Sequence, residues 1–253
     1  MALVEQLESQ GNWLFRYRGQ LPLILFLLVI PVMMYTAPEA LEATSSSLWT
    51  LIAIIVSVLG AIVRAYTIGT TPRGTSGRNT KNQVAEQLNT TGIYSTVRHP
   101  LYLGNYLMWI GIVIYTFDPV FTISVSLLYW IYYERIMMAE ERFLIGKFGD
   151  SYYAWADKTP AFFPRLSSFT TPSETFSLRS VFRREYSGWL ATVVGFAYVD
   201  FLRVLRAGHY EFSAAGNDWW IKWMMILIVS VVVTLLLRSL KHYTSLLKEE
   251  GRS

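Results

Sequence analysis

The chain has 253 residues, 53% of them hydrophobic and only 16% charged, with a net charge of +4. The apolar residues come in blocks where a soluble domain would disperse them, which excludes an ordinary soluble fold and points to an integral membrane protein. With no cysteine there is no disulfide framework, thiolate nucleophile or Cys-ligated zinc, and His99, His209 and His242 stand too far apart to suggest a metal site.

In chain order, residues 1–18 carry Glu5 and Glu8 and have no apolar core, so no cleavable signal is expected. Two readings are open for them: a short interfacial helix with Leu3, Leu7, Trp13 and Leu14 towards lipid, or a frayed terminus. Leu21 to Tyr35 and Leu48 to Ile68 read as membrane helices, since about 20 apolar residues cross about 30 Å of hydrocarbon. The loop between them holds Glu39 and Glu42 and no Lys or Arg. Gly69 to Asn82 is glycine-rich and basic. It lacks the Lys-Ser/Thr after its last glycine and the preceding strand of a phosphate loop, so it reads as a solvated segment whose Arg73, Arg78 and Lys81 can meet an anionic headgroup.

The apolar stretch Tyr102 to Met138 is too long for one crossing, and Asp118-Pro119 breaks it into a tight helical hairpin. Ser167 to Glu174 reads as a polar linker, and Ser187 to Leu205 with Trp219 to Leu237 as a second, appended hairpin. Within that hairpin Asp200 and Arg203, three apart on one helix, are expected to pair. Trp13, Trp49, Trp189, Trp219, Trp220 and Trp223 fall near helix ends and read as interfacial anchors. All but Arg203, Arg206 and Lys222 of the 22 Lys and Arg residues lie in the termini or in segments 64–98 and 135–184. By the positive-inside rule both termini and both long polar segments face the cytoplasm. The net positive charge is thereby explained by topology, without nucleic acid.

Two constellations carry chemistry. In the first, Pro100 suits the first turn of a helix, which sets Arg98 and His99 at a helix N-terminus where free N–H groups favour a carboxylate or phosphate. A headgroup-facing cap with Arg98 snorkelling explains the same residues. In the second, Glu140 and Glu141 stand at the far end of the hairpin's second helix, where carboxylates oppose the dipole and call for a compensating partner. The alternative there is a local charge cluster with Arg142 or Lys147. A hairpin brings its open ends together, so the two constellations should meet at the water–lipid boundary. The aromatic segment Phe148 to Pro164, ended by two prolines, can act as a lid over them or lie on the membrane.

These residues resemble the integral membrane methyltransferases that include isoprenylcysteine carboxyl methyltransferase and the phospholipid N-methyltransferases. The resemblance is carried by Gly92-Ile93-Tyr94, Arg98-His99-Pro100-Leu101-Tyr102-Leu103-Gly104, Glu140-Glu141, Phe148-Gly149 with Tyr152-Tyr153, and Thr159-Pro160 with Pro164, over residues 78–166. It implies S-adenosyl-L-methionine as cofactor, in a cytoplasm-facing pocket at the hairpin ends, with lipid entering sideways. It also implies cofactor contacts at Tyr94, His99, Pro100, Leu101, Tyr102 and Glu140, with Ala85 to Leu88 in the position of a further contact stretch whose identities diverge. The substrate-binding arginine of the carboxyl methyltransferases aligns with Ile136, next to Arg135.

The fold expected is an all-α polytopic membrane bundle of about six transmembrane helices, with a tight hairpin over 103–138 and short cytoplasmic lid segments. Its parts are 1–70 with two transmembrane helices, a methyltransferase core over 71–166, a linker over 167–186 and an appended hairpin and tail over 187–253. The site has Arg98, His99 and Glu141 as catalytic candidates and Arg135 and Arg78 as substrate-binding candidates, with no metal. The acceptor expected is a membrane lipid or lipid-linked molecule with an anionic headgroup, and the location a bacterial inner membrane with both termini in the cytoplasm. Methyl transfer to a carboxylate or phosphate needs positioning and no general base, whereas an amine acceptor needs a proton acceptor. The rival enzyme class, the NADPH-dependent sterol reductases, shares the Arg-His-Pro-x-Tyr turn, but Leu101 and Asn105 replace that class's Asn and Glu. A scaffold does not need this ordered polar set, and a transporter would place charge near the midplane, where only Asp200 is a candidate.

Overall fold

The computed structural model describes residues 2–20, 23–35, 47–72, 83–207 and 218–252, and these are helical with no strand among them. The helices are α1 (Leu3–Tyr17), α2 (Leu23–Tyr35), α3 (Ser47–Gly69), α4 (Pro100–Ile114), α5 (Pro119–Phe148), α6 (Asp150–Ala156), α7 (Leu178–Ala207) and α8 (Asp218–Tyr243). Arg73, Arg78, Lys81 and His209 lie outside the described residues.

Among the described residues three helices are long and apolar enough to cross a membrane: Leu48–Gly69, Leu178–Arg206 and Ile221–Tyr243. The described parts of α2 and α4, with 13 and 15 residues, reach only about 20 and 22 Å. α5 has 30 residues, but its second half carries Glu134, Arg135, Glu140, Glu141, Arg142 and Lys147. The expected hairpin forms, with its turn where the sequence places it: the Asp118 carboxylate caps α5 by accepting from Phe121 N at 2.8 Å, and Pro119 occupies the first turn.

The first residues form a complete helix, not a frayed end. α1 lies along α5, joined by Arg142 to Glu8 (3.2 Å) and Arg135 to Gln10 (3.0 Å), with Phe15 buried. α3 and α4 cross most closely, and the cause is a pair of glycines. A Cβ on Gly60 would stand 2.6 Å from the Gly104 carbonyl oxygen, and one on Gly104 would stand 2.5 Å from Arg64 Cγ. Small residues let membrane helices approach, and here they also clear a path for the Arg64 side chain.

The stretch expected as a linker over 167–186 is helical from Leu178 onwards, so α7 starts well before the apolar run at Ser187. Asp200 and Arg203 pair at 3.4 Å, as their spacing suggests. Asp200 also accepts from the Tyr115 hydroxyl and from the Trp223 indole, each at 2.8 Å, tying α7 to α4 and α8. Trp223, expected as an interfacial anchor, therefore spends its donor on a carboxylate. At the other end the tail returns to the core. Arg252 is buried and donates to the carbonyls of Gly69, Thr71 and Thr175, and Ser177 bonds Glu249.

Candidate active site

The turn before α4 and the end of α5 do meet, about 40 positions apart in sequence. His99 Nε2 is 2.8 Å from Glu141 Oε1, and His99 Nδ1 is 3.7 Å from Glu140 Oε2, so the imidazole sits between both carboxylates. Arg98 joins Glu141 through Nε at 2.9 Å, and the Tyr102 hydroxyl donates to Glu140 at 2.7 Å. The helical register explains the set. Pro100 starts α4, so Tyr102 emerges in its first turn beside His99, stacked at 5.8 Å between ring centroids.

The aromatic segment folds onto this turn. Gly149, at φ 51°, ends α5 and lets α6 double back. Arg98 Nη1 donates to the carbonyls of Ala156 (2.9 Å) and Thr159 (2.8 Å), Arg98 N to Pro160 O (2.9 Å) and His99 N to Ala161 O (3.2 Å). Trp155 reaches over to donate to Tyr94 O at 2.9 Å. Tyr152 is buried with its hydroxyl beside Glu141.

The electrostatics follow from this packing. Burial alone would lower the pKa of His99, but hydrogen bonds to Glu140 and Glu141 outweigh it and hold the pKa above its usual value. Burial works the other way on Glu141, yet His99, Arg98 and Tyr152 bring its pKa down to about 2. The result is an imidazole held between two carboxylates, with its charged form favoured more than in a free imidazole. Glu141 is a poor proton acceptor near neutrality. Burial, then the nearby Glu140 charge, raises the Tyr94 pKa and keeps that phenol neutral.

A cavity of about 490 Å³ opens beside this cluster, within the range of small-molecule sites. Tyr94, His99, Pro100, Leu101, Tyr102 and Glu140 all line it, as do Arg98 and the stretch Ala85, Gln87 and Leu88. Two residues of the expected set are not part of its lining. Glu141 faces Arg98 and His99 from behind, and Arg135 is turned to Gln10 and the Ile131 carbonyl on the α1 side.

Other cavity residues were not singled out from the sequence. Arg18, at the end of α1, sits 3.6 Å from Glu140 and over the Phe15 ring at 3.8 Å. Arg64 of α3 makes a two-point pair with Glu185 of α7, Nε to Oε2 at 2.7 Å and Nη2 to Oε1 at 2.8 Å, while its Nη1 donates to Asn105 at 2.6 Å. Arg184 completes that wall. A lone arginine inside the apolar run of α3 was the one available signal, since an intramembrane charge needs a partner. Nothing local points to residue 185 as that partner.

Residues 3–139, more than half of the chain, match the family described as a protein of unknown function (DUF1295). The chain belongs to that family. It is also similar to protein-S-isoprenylcysteine O-methyltransferase of Schizosaccharomyces pombe, with 30% identity over 116 residues that cover 44% of this chain and 49% of that protein. Protein-S-isoprenylcysteine O-methyltransferase B of Arabidopsis thaliana is 29% identical over 109 residues, 42% of this chain and 55% of that one. Cobalt-zinc-cadmium resistance protein CzcN of Cupriavidus metallidurans is 39% identical over 82 residues, 32% of this chain and 38% of that one. The chain thus spans about half the length of the curated relatives it matches. No solved structure matches it. Among the described residues no group of three or more His, Cys, Asp or Glu is placed to share a metal ion.

Proposed function

We propose that this DUF1295 member is an integral membrane methyltransferase that moves a methyl group from S-adenosyl-L-methionine to a lipid or isoprenoid-type acceptor. The acceptor carries an anionic phosphate or carboxylate at the cytoplasmic face. The observation that carries the reading is the convergence of Tyr94, His99 to Tyr102 and Glu140 on one cavity. In this reading residues 71–166 form the core, the chain crosses the membrane six times, and both termini are cytoplasmic. The similarity to enzymes named O-methyltransferases supports it.

The residues present fit the cofactor. Glu140, oriented by the Tyr102 hydroxyl and flanked by His99 and Arg18, offers a carboxylate to a cationic amino or sulfonium group. Trp155 and Tyr94, with Ala85, Gln87 and Leu88 beside them in the lining, provide aromatic and apolar surface for an adenine. When bound, the cofactor supplies an electrophilic methyl on sulfur. The chain's own contribution is to position the partners and to exclude water, which the segment 156–161 does by covering the Arg98-His99 turn.

The acid–base state of the cluster favours an anionic acceptor. Glu141 is bonded to Arg98 and His99 and has a pKa near 2, and His99 has both ring nitrogens turned to carboxylates, so neither is placed to take a proton from an amine. A carboxylate or phosphate needs no such step. Membranes containing the protein, incubated with methyl-labelled S-adenosylmethionine, should yield lipid label that alkali releases. Alkali-stable label on nitrogen would refute the anionic acceptor, and no label in any lipid would refute the activity.

A further inference from the structure

The segment from Pro160 to Thr170 runs as a strap along residues 92–99 and holds the site's turn by its backbone. Arg98 N and His99 N donate to the carbonyls of Pro160 and Ala161, and Arg165 N donates to Thr96 O at 2.9 Å. Further along, Thr170 N donates to Ser95 Oγ at 2.9 Å and Gly92 N to Thr170 O at 3.1 Å. Between the His99 and Thr96 contacts the strap forms a tip, Ala161-Phe162-Phe163-Pro164, set against the flank of the hairpin. Phe162 is buried there, edge-on to Tyr106 at 6.0 Å and to Trp130 at 5.6 Å between ring centroids. Phe163 stacks on Trp130 at 5.8 Å.

The level of that stack is set by α5. Trp130 stands one helical turn before Glu134, the first charged residue of the helix, where an aromatic ring marks the boundary between acyl chains and headgroups. The outer side of the tip is apolar: Phe163 is 71% exposed, Leu166 78% and Trp130 42%. The patch continues along α5 through Val120, Ile123, Leu127 and Ile131, all exposed, whose spacing of three and four residues puts them on one face. In a membrane protein such a stripe faces lipid, and the tip is stacked on its polar end.

The backbone of the tip suits the same medium. Lipid offers no partner to a free N–H or C=O, so a chain that approaches it must have few of them. Pro160 and Pro164 carry no N–H, and the carbonyls of Pro160 and Ala161 accept from Arg98 and His99. Ala161 is thus bonded to a cavity residue and joined covalently to Phe162, so a shift of the tip is felt at His99 within one residue.

We propose that the Phe162-Phe163 tip, with Leu166 beside it, is anchored in the headgroup–acyl boundary of the bilayer, and that this anchoring holds the strap closed over the Arg98-His99 turn. The partner is a lipid surface, whatever reaction the cavity carries out. The aromatic segment is then lid and membrane contact at once, where the sequence offered these as alternatives.

The chain has no cysteine, so single cysteines can carry a nitroxide label without background. The full-length protein is reconstituted into vesicles of phosphatidylcholine and phosphatidylglycerol. Labels at Phe163→Cys and Leu166→Cys are compared with Leu127→Cys on the apolar stripe and Ser151→Cys, exposed on α6. The readout is collision with oxygen, which concentrates in acyl chains, against collision with a water-soluble nickel chelate. The oxygen-to-nickel ratio at 163 should rise several-fold above that at 151 and approach that at 127, with 166 between them. A ratio at 163 equal to that at 151 overturns the anchoring. Protection from both reagents means that protein covers the tip, and overturns it as well.

The closing role is read by hydrogen exchange of the peptide that contains Arg98 and His99, in the same vesicles. Phe163→Asp should exchange there several-fold faster than wild type, because a carboxylate is expelled from the boundary. Phe163→Leu, which loses the ring stack and stays apolar, should remain near wild type. Were the tip in water, exchange of so exposed a side chain would leave the peptide unaffected, so unchanged exchange in Phe163→Asp overturns the coupling. Equal acceleration in Phe163→Leu assigns the effect to the Trp130 stack and overturns it too.

Discussion

The two ends of the cavity are built in opposite ways. At one end Arg98, His99, Tyr102, Glu140 and Glu141 come from the two arms of one hairpin and meet in antiparallel order, Arg98 and His99 with Glu141 and Tyr102 with Glu140. At the other end Arg64, Asn105 and Glu185 come from three helices, 41 and 121 positions from Arg64. The first end is a motif and the second a consequence of packing. A motif lets a family be seen from sequence, whereas a packed end comes into view only with the fold.

The largest expected effect breaks the first end. Arg98→Ala leaves Glu141 and the carbonyls of Ala156 and Thr159 without their side-chain donor, and removing one partner of a largely buried pair costs about 3–5 kcal/mol. The thermal midpoint should fall steeply, while the double variant Arg64→Met with Glu185→Leu, at the other end, should fall less because apolar residues of similar volume replace both partners of the buried pair. Equal losses would erase the distinction between the ends.

pH sharpens the same contrast, with opposite signs for the two partners. Glu141 has a depressed pKa, so its contribution is complete above its ordinary value of 4.5 and is lost as pH falls towards about 2. His99 has a raised pKa, so its contribution is complete below 6.5 and is lost as pH rises through the folded-state value. Stability measured against pH should therefore decline on both flanks, and Glu141→Gln should flatten both. Unchanged flanks would mean that the clamp around His99 does not titrate as a unit.

Gly104→Ala joins the ends, since the added methyl presses on Arg64. Overpacking of this kind costs about 1–3 kcal/mol, and denaturation should show a loss of that size. A neutral result would separate the motif's glycine from the arginine. The smallest effect belongs to Trp155→Phe, which removes one hydrogen bond to Tyr94 O worth about 1 kcal/mol and should be visible as a small drop in midpoint.

How much was legible in the sequence divides along the same line. The hairpin, its turn at Asp118-Pro119 and the meeting of residues 98–102 with 140–141 follow from period, breaker residues and short connection, all of which are local. The role of α1 was not legible, because Phe15 and Arg18 reach the cavity only through packing of α1 on α5. Glu185 was hidden for a related reason: it lies in a charged, weakly apolar run that reads as linker, and only the continuation of α7 back to Leu178 brings it opposite Arg64. Apolar length likewise marks α3, α7 and α8 as spans, while α2 and α4 fall short of the membrane thickness over their described residues.

Binding of S-adenosylhomocysteine to the purified protein, compared between wild type and Glu140→Ala with NADPH as control ligand, tests the central claim most directly. The Glu140 carboxylate is expected to supply a charge-assisted bond of roughly 2–3 kcal/mol, so wild type should bind and the variant should lose about 30- to 150-fold, with no response to NADPH. Equal affinity in wild type and Glu140→Ala, or stabilisation by NADPH and not by S-adenosylhomocysteine, would contradict it.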